Sequence, residues 1–148
     1  MLYYGIIAAL IGGIFIAVQG GINGMIGNKV GIFPTVMVPV ITQIVILSAV
    51  VLVKRDLIGN ILKLRDVKFG VGFLIISAIL GLGIMSTLTL SIIKIGPLVA
   101  FAIVIFSQLL TSMIVEHFGF FDMAQKSISS YRVLGLLAML VGIGLFYK

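Results

Sequence analysis

Two carboxamides, Gln19 and Asn23, stand four residues apart in the stretch AVQGGINGMIG, with four glycines around them. At that spacing both project from one face of a helix. Each amide offers two N–H donors and a carbonyl acceptor, so the chemistry available is neutral hydrogen bonding. Gly20 and Gly24 form a small-xxx-small pair beside them, which lets a second backbone approach closely. The amides can then serve as interhelical glue or line a polar cavity that a solute enters. Both readings stand at this point. Other polar groups recur at intervals: Thr42 with Gln43, the hydroxyls of Ser77, Ser86, Thr87, Thr89 and Ser91, and Ser107, Gln108, Thr111 and Ser112. Gln108, Thr111 and Ser112 share one helix face, as do Thr87, Ser91 and Lys94. Serine and threonine can bond back to their own helix carbonyls, and the hydroxyls between Ser77 and Ser91 are expected to do so. Glutamine has no such local exit. Gln19, Gln43 and Gln108 are therefore the stronger candidates for solute contact, with Asn23 and Thr111 beside them. The three glutamines do not sit strictly at one depth, which argues against a single shared site.

The chemistry that is absent narrows the function. The chain has no cysteine, which excludes disulfides, thiol catalysis and iron–sulfur clusters. No metal-ligand spacing and no nucleophile–base pair appears, so neither catalysis nor a cofactor is expected. Gly81-Leu82-Gly83 and Gly142-Ile143-Gly144 follow no strand and read as packing glycines, not phosphate loops. The single His117 adjoins Glu116 and reads as a boundary residue. No carboxylate lies inside any apolar run, so the buried acid of a proton-coupled cation antiporter is missing.

The elements that must hold these residues follow from composition. Of 148 residues, 61% are hydrophobic and 9% charged; the mean hydropathy is +1.37. A soluble domain carries about 25% charged residues. The chain reads as an all-α integral membrane protein forming a single membrane domain, residues 1–148. A span needs about 20 apolar residues, and charges and turn residues divide the chain into five: about 4–26, 33–53, 69–93, 97–115 and 131–147. The last is short and would need a thin bilayer or snorkelling ends. Tyr3, Tyr4, Phe33, Phe69, Phe118, Phe120, Phe121, Tyr131 and Tyr147 cluster at the boundaries, as an interfacial belt does. The first residues lack a basic n-region, and no cleavage pattern follows the first run, so no secretory signal is read.

Two turns have the same ingredients, Lys29-Val30-Gly31-Ile32-Phe33-Pro34 and Lys94-Ile95-Gly96-Pro97. Both are expected to be tight hairpin connections on one side of the membrane; the echo is too short to establish a duplication. The formal charge of +6 sits at the ends of apolar runs, which argues against nucleic acid. Five spans give one face seven basic residues (Lys54, Arg55, Lys63, Arg65, Lys68, Lys126, Arg132) and the other three (Lys29, Lys94, Lys148). The positive-inside rule then puts the N-terminus in the cytoplasm and the C-terminus outside. Within the basic loop after the second span, Leu57, Ile58, Ile61, Leu62 and Leu64 form a helical stripe. It reads either as a short interfacial helix or as a solvated basic loop.

The C-terminal third, GPLVAFAIVIFSQLLTSMIVEHFGFFDMAQKSISSYRVLGLLAMLVGIGLF, resembles the closing hairpin of the drug/metabolite transporter superfamily. The resemblance rests on a Pro-started helix ending in an acid and an F-G turn, a Ser before the last helix, and the G-x(6)-G of Gly135 and Gly142. With Gln19, Asn23 and the S-Q-L-L of Ser107 to Leu110, the whole chain is similar to the five-helix bacterial branch called the YdcZ (EamA-like) family. The acid in the first helix of the small multidrug resistance relatives is absent here. The resemblance implies one half of an inverted-repeat transporter fold in the bacterial inner membrane, paired with an antiparallel second copy or a related five-helix chain.

The expected function is alternating-access transport of a small solute. Gln19, Asn23 and Gln108 would line the cavity, with Gln43 and Thr111 next, and Gly20 and Gly24 would permit helix approach. The alternative is a small non-transporting subunit that scaffolds or regulates a larger complex. A passive channel has no sustained polar stripe to support it.

Overall fold

A computed structural model of the protein describes residues 2–67 and 69–146. Met1, Lys68, Tyr147 and Lys148, and the side chains of Leu2, Arg65 and Asp122, lie outside the described residues. Six α-helices form among them: α1 (Leu2–Val30), α2 (Ile32–Val53), α3 (Asp56–Leu62), α4 (Gly70–Ile95), α5 (Pro97–Phe118) and α6 (Ser130–Phe146). The described residues contain no strand. Four helices, α1, α2, α4 and α5, are long and apolar enough to cross a membrane, while α6 has 17 residues. The helices run past the hydropathy bounds. α1 continues to Val30 and α5 to Phe118, because Asn28, Lys29, Glu116 and His117 can stay helical while their polar ends reach the headgroups.

The two glycine turns are tighter than expected. Gly31 alone joins α1 to α2, and Gly96 alone joins α4 to α5. Their backbones match, at φ 88°, ψ 167° and φ 80°, ψ 160°. That region is essentially closed to residues with a Cβ. The helices that follow are of equal length, 22 residues each. Pro97 occupies the first turn of α5, where a helix needs no N–H donor. Pro39 lies inside α2.

The basic loop does contain a helix, α3, extended by a 3-10 turn over Lys63–Asp66. After α5, Gly119 adopts the left-handed conformation, φ 66° and ψ 30°, the conformation with which helices commonly terminate. The following segment folds back: Lys126 N–H donates to the Glu116 carbonyl at 3.0 Å, and Gln125 Nε2 donates to the His117 carbonyl at 3.0 Å. Ser129 then starts α6, its hydroxyl oxygen accepting from Arg132 N–H at 3.4 Å.

The chain divides into two compact units, Gln19–Ile93 and the remainder, Met1–Val18 with Lys94–Lys148. In the first, the buried positions include Asn23, Thr35, Val36, Thr89 and Ile92. In the second, α5 and α6 pack side by side, and Val99 and Ala100 are buried. Large apolar side chains along every long helix point outward, among them Phe15, Ile46, Ile79 and Val141. In water such a surface would drive aggregation; in hydrocarbon it is matched to its solvent.

Candidate functional site

Within the unit of residues 19–93, one face of α1 is built for close approach. Gly20, Asn23, Gly24 and Gly27 are all buried. A methyl group on Gly24 would collide with Cγ2 of Ile92 on α4. One on Gly27 would lie 2.9 Å from Cγ2 of Thr89, 3.1 Å from Cδ1 of Ile93 and 3.5 Å from Oγ1 of Thr35. Gly24 and Gly27 thus both lie against α4. Gly27 was missed, although its position three residues after Gly24 and seven after Gly20 extends the same helical face.

Asn23 is only 7% exposed, and its amide makes no hydrogen bond among the described residues. Gln19, Gln43 and Gln108 are exposed on α1, α2 and α5, and Thr111 on α5. No hydrogen bond joins any of these five side chains to another among the described residues. The hydroxyls behave differently. Thr35, Thr42, Ser86, Thr87, Thr89 and Ser107 donate to carbonyls three or four residues back, at 2.7 to 3.3 Å. Of the five hydroxyls expected to bond to their own helix, Ser86, Thr87 and Thr89 do so, while Ser77 and Ser91 make no such bond among the described residues. Thr111 and Ser112, on the face of Gln108, make no such bond among the described residues.

The turns set how far along its own helix each glutamine stands. Gln19 stands twelve residues before Gly31, Gln43 twelve after it, and Gln108 twelve after Gly96. At 1.5 Å per residue each lies about 18 Å along its helix from its own turn. Hydropathy spread each turn over several residues and hid this equality; the true connection is a single glycine.

The α5–α6 pair holds a second polar feature. A cavity of about 350 Å³ runs between the helices, lined by Leu109, Ser112, Met113 and Glu116 on α5 and by Arg132, Gly135, Leu136 and Met139 on α6. Both sets follow the i, i+3, i+4, i+7 spacing of one helix face. At its end, Arg132 Nη1 donates to Glu116 Oε2 at 3.0 Å, with side chains 39% and 30% exposed. The sequence reading placed both residues at the boundary but did not pair them. Acid and base on facing terminal turns of consecutive helices were the available signal. His117 turns its ring edge toward Phe118, with centroids 5.2 Å apart, and its Nδ1 is buried without a hydrogen-bond partner. No group of three potential metal-ligating side chains occurs among the described residues.

Residues 4–145 match the family described as "Putative inner membrane exporter, YdcZ". No curated protein and no solved structure matches the chain.

Proposed function

The chain belongs to the YdcZ family of inner-membrane exporters, and from that premise we propose that it moves a small solute by alternating access, as one half of an antiparallel pair. The family is a transport family, not an enzymatic one, and the long apolar helices agree with a multi-pass protein of the inner membrane. In this proposal α6 is the fifth span. Its 17 residues cover about 25 Å at 1.5 Å per residue, which requires local thinning or snorkelling. The N-terminus is cytoplasmic, as the seven-to-three distribution of basic residues favours. An odd number of spans leaves the two ends of the chain on opposite faces, so the second half of the transporter must insert the other way.

We assign solute contact to Gln19, Asn23 and Gln43 in the unit of residues 19–93, and to Gln108 and Thr111 in the other. Each assignment stands by itself. The observation that carries it is that these amides and Thr111 have no hydrogen-bond partner among the described residues, a state shared by Ser48, Ser77, Ser91 and Ser112, while Thr42, Ser86, Thr87, Thr89 and Ser107 bond to carbonyls of their own helices. Glue would show interhelical bonds. A scaffold subunit has no use for free amides within a span, where an unsatisfied polar group is costly.

Orientation tests the pairing. Single cysteines replacing Lys29, Asn60 and Lys148 in this cysteine-free chain can be labelled from either side of the membrane. Labelling of every site from both sides supports two-way insertion and a homodimer. Labelling of Asn60 from the cytoplasm alone, and of the other two from outside alone, rules out the homodimer and requires an oppositely inserted partner chain.

A further inference from the structure

The two glycine turns belong to a larger correspondence. Advancing by 65 residues carries Lys29 to Lys94, Gly31 to Gly96, Thr42-Gln43 to Ser107-Gln108, and α2 (Ile32–Val53) onto α5 (Pro97–Phe118) end to end. The turn dihedrals agree within 8° in φ and 7° in ψ, so the two helices leave their turns in the same rotational phase. Thr42 donates to the Val38 carbonyl and Ser107 to the Ile103 carbonyl, both at 2.9 Å, and these bonds too are 65 residues apart. Four residues after each turn stands a buried residue, Thr35 at 4% and Ala100 at 0% exposure.

The packing of α1 on α4, inside the unit of residues 19–93, supplies an independent sign. The same shift carries Gly24 to Thr89 and Gly27 to Ile92. Gly24 is packed against Ile92, and Gly27 against Thr89. Each position of one helix thus meets the counterpart of the other position. Reciprocal contacts of this kind mark a two-fold relation, in which residue i meets j and j meets i.

We infer that residues 24–53 and 89–118 are two copies of one helical hairpin, and that Gln43 and Gln108 are equivalent amides, each of which by itself offers contact to an uncharged polar solute. This rests on the transport reading for the solute, though not for the repeat. In each copy the hydroxyl preceding the amide has its proton committed to its own helix. The amide is left with two donors and one acceptor free. No Asp, Glu, Lys or Arg lies between Gly31 and Val53 or between Gly96 and Val115, so neither copy can compensate a charged solute at that depth. A neutral molecule bearing donors and acceptors matches what the copies offer. Gln19 has no counterpart, because the shift carries it to Ile84, so the repeat separates the paired amides from the unpaired one.

Gln43→Cys and Gln108→Cys, each in the full chain in membrane vesicles, would be treated with methanethiosulfonate reagents of similar size that are neutral, cationic or anionic. The neutral reagent should modify both cysteines at rates within about threefold of each other, and at least about tenfold faster than either charged reagent. Modification of one site but not the other overturns the equivalence. Equal rates for neutral and charged reagents overturn the uncharged solute. Thr42→Cys and Ser107→Cys, one residue earlier in each copy, repeat the comparison if a glutamine variant fails to insert. Matched neutral reactivity together with full uptake by Gln108→Leu would keep the repeat and remove the glutamines from solute contact, which separates the two failures.

Discussion

Gly24 of α1 is packed against Ile92 of α4 so closely that a methyl group on the glycine would occupy the space of the isoleucine Cγ2. Gly24→Ala should therefore destabilise the protein by about 1–3 kcal/mol, the usual cost of overpacking. Ile92→Ala in the same chain should recover much of that loss, because it removes the colliding methyl. Gly21→Ala, with nothing within 4 Å of the new methyl, should be close to neutral. Thermal unfolding in detergent reads all three variants, and equal destabilisation by Gly21→Ala and Gly24→Ala would refute the contact.

The turn glycines make a matched pair. An alanine at Gly31 or Gly96 would be forced into backbone geometry that costs about 1–3 kcal/mol. Neither site has a neighbour within 4 Å of the added carbon, so the penalty is conformational and should be similar at both. The fraction of each variant that resists protease in membranes measures it.

Gln108→Leu should abolish solute uptake while leaving membrane insertion intact. Leucine is close in size to the amide and suits lipid, so the change removes hydrogen bonding with little effect on shape. Uptake into vesicles, normalised to inserted protein, is the measurement. Unchanged uptake removes Gln108 from the site.

The Arg132–Glu116 pair should contribute little to stability. Both side chains are about a third exposed, and exposed pairs are worth about 0–1 kcal/mol. A double-mutant cycle with Glu116→Gln and Arg132→Gln should give a coupling energy in that range, shrinking further as salt is raised.

How far the chain could be read in advance depends on the scale of the signal. Membrane class and the run of helices follow from apolar lengths, which report the thickness of the solvent. Helix ends were less legible: Asn28 and Lys29 look like loop residues, yet lipid headgroups accept them in the last turn of α1. The self-bonded hydroxyls of Ser86, Thr87 and Thr89 were legible because their partners are four residues away or less. The Gly27–Thr89 approach was not, since it depends on how α1 meets α4. The spacing of the glutamines from their turns lay between these cases, visible in the numbering once Gly31 and Gly96 are known to be one-residue joints.

The satisfied hydroxyls have a mechanical consequence. Thr35, Thr42, Ser86, Thr87, Thr89 and Ser107 each spend their proton on their own helix. Among the described residues, no side-chain hydrogen bond ties one of the four long helices to another along its buried length. Where α1 passes α4, a sliding helix would meet methyl groups against the hollows of Gly24 and Gly27. Such a surface behaves as a low-friction bearing, whose resting positions are set by steric fit and not by bonds that must break.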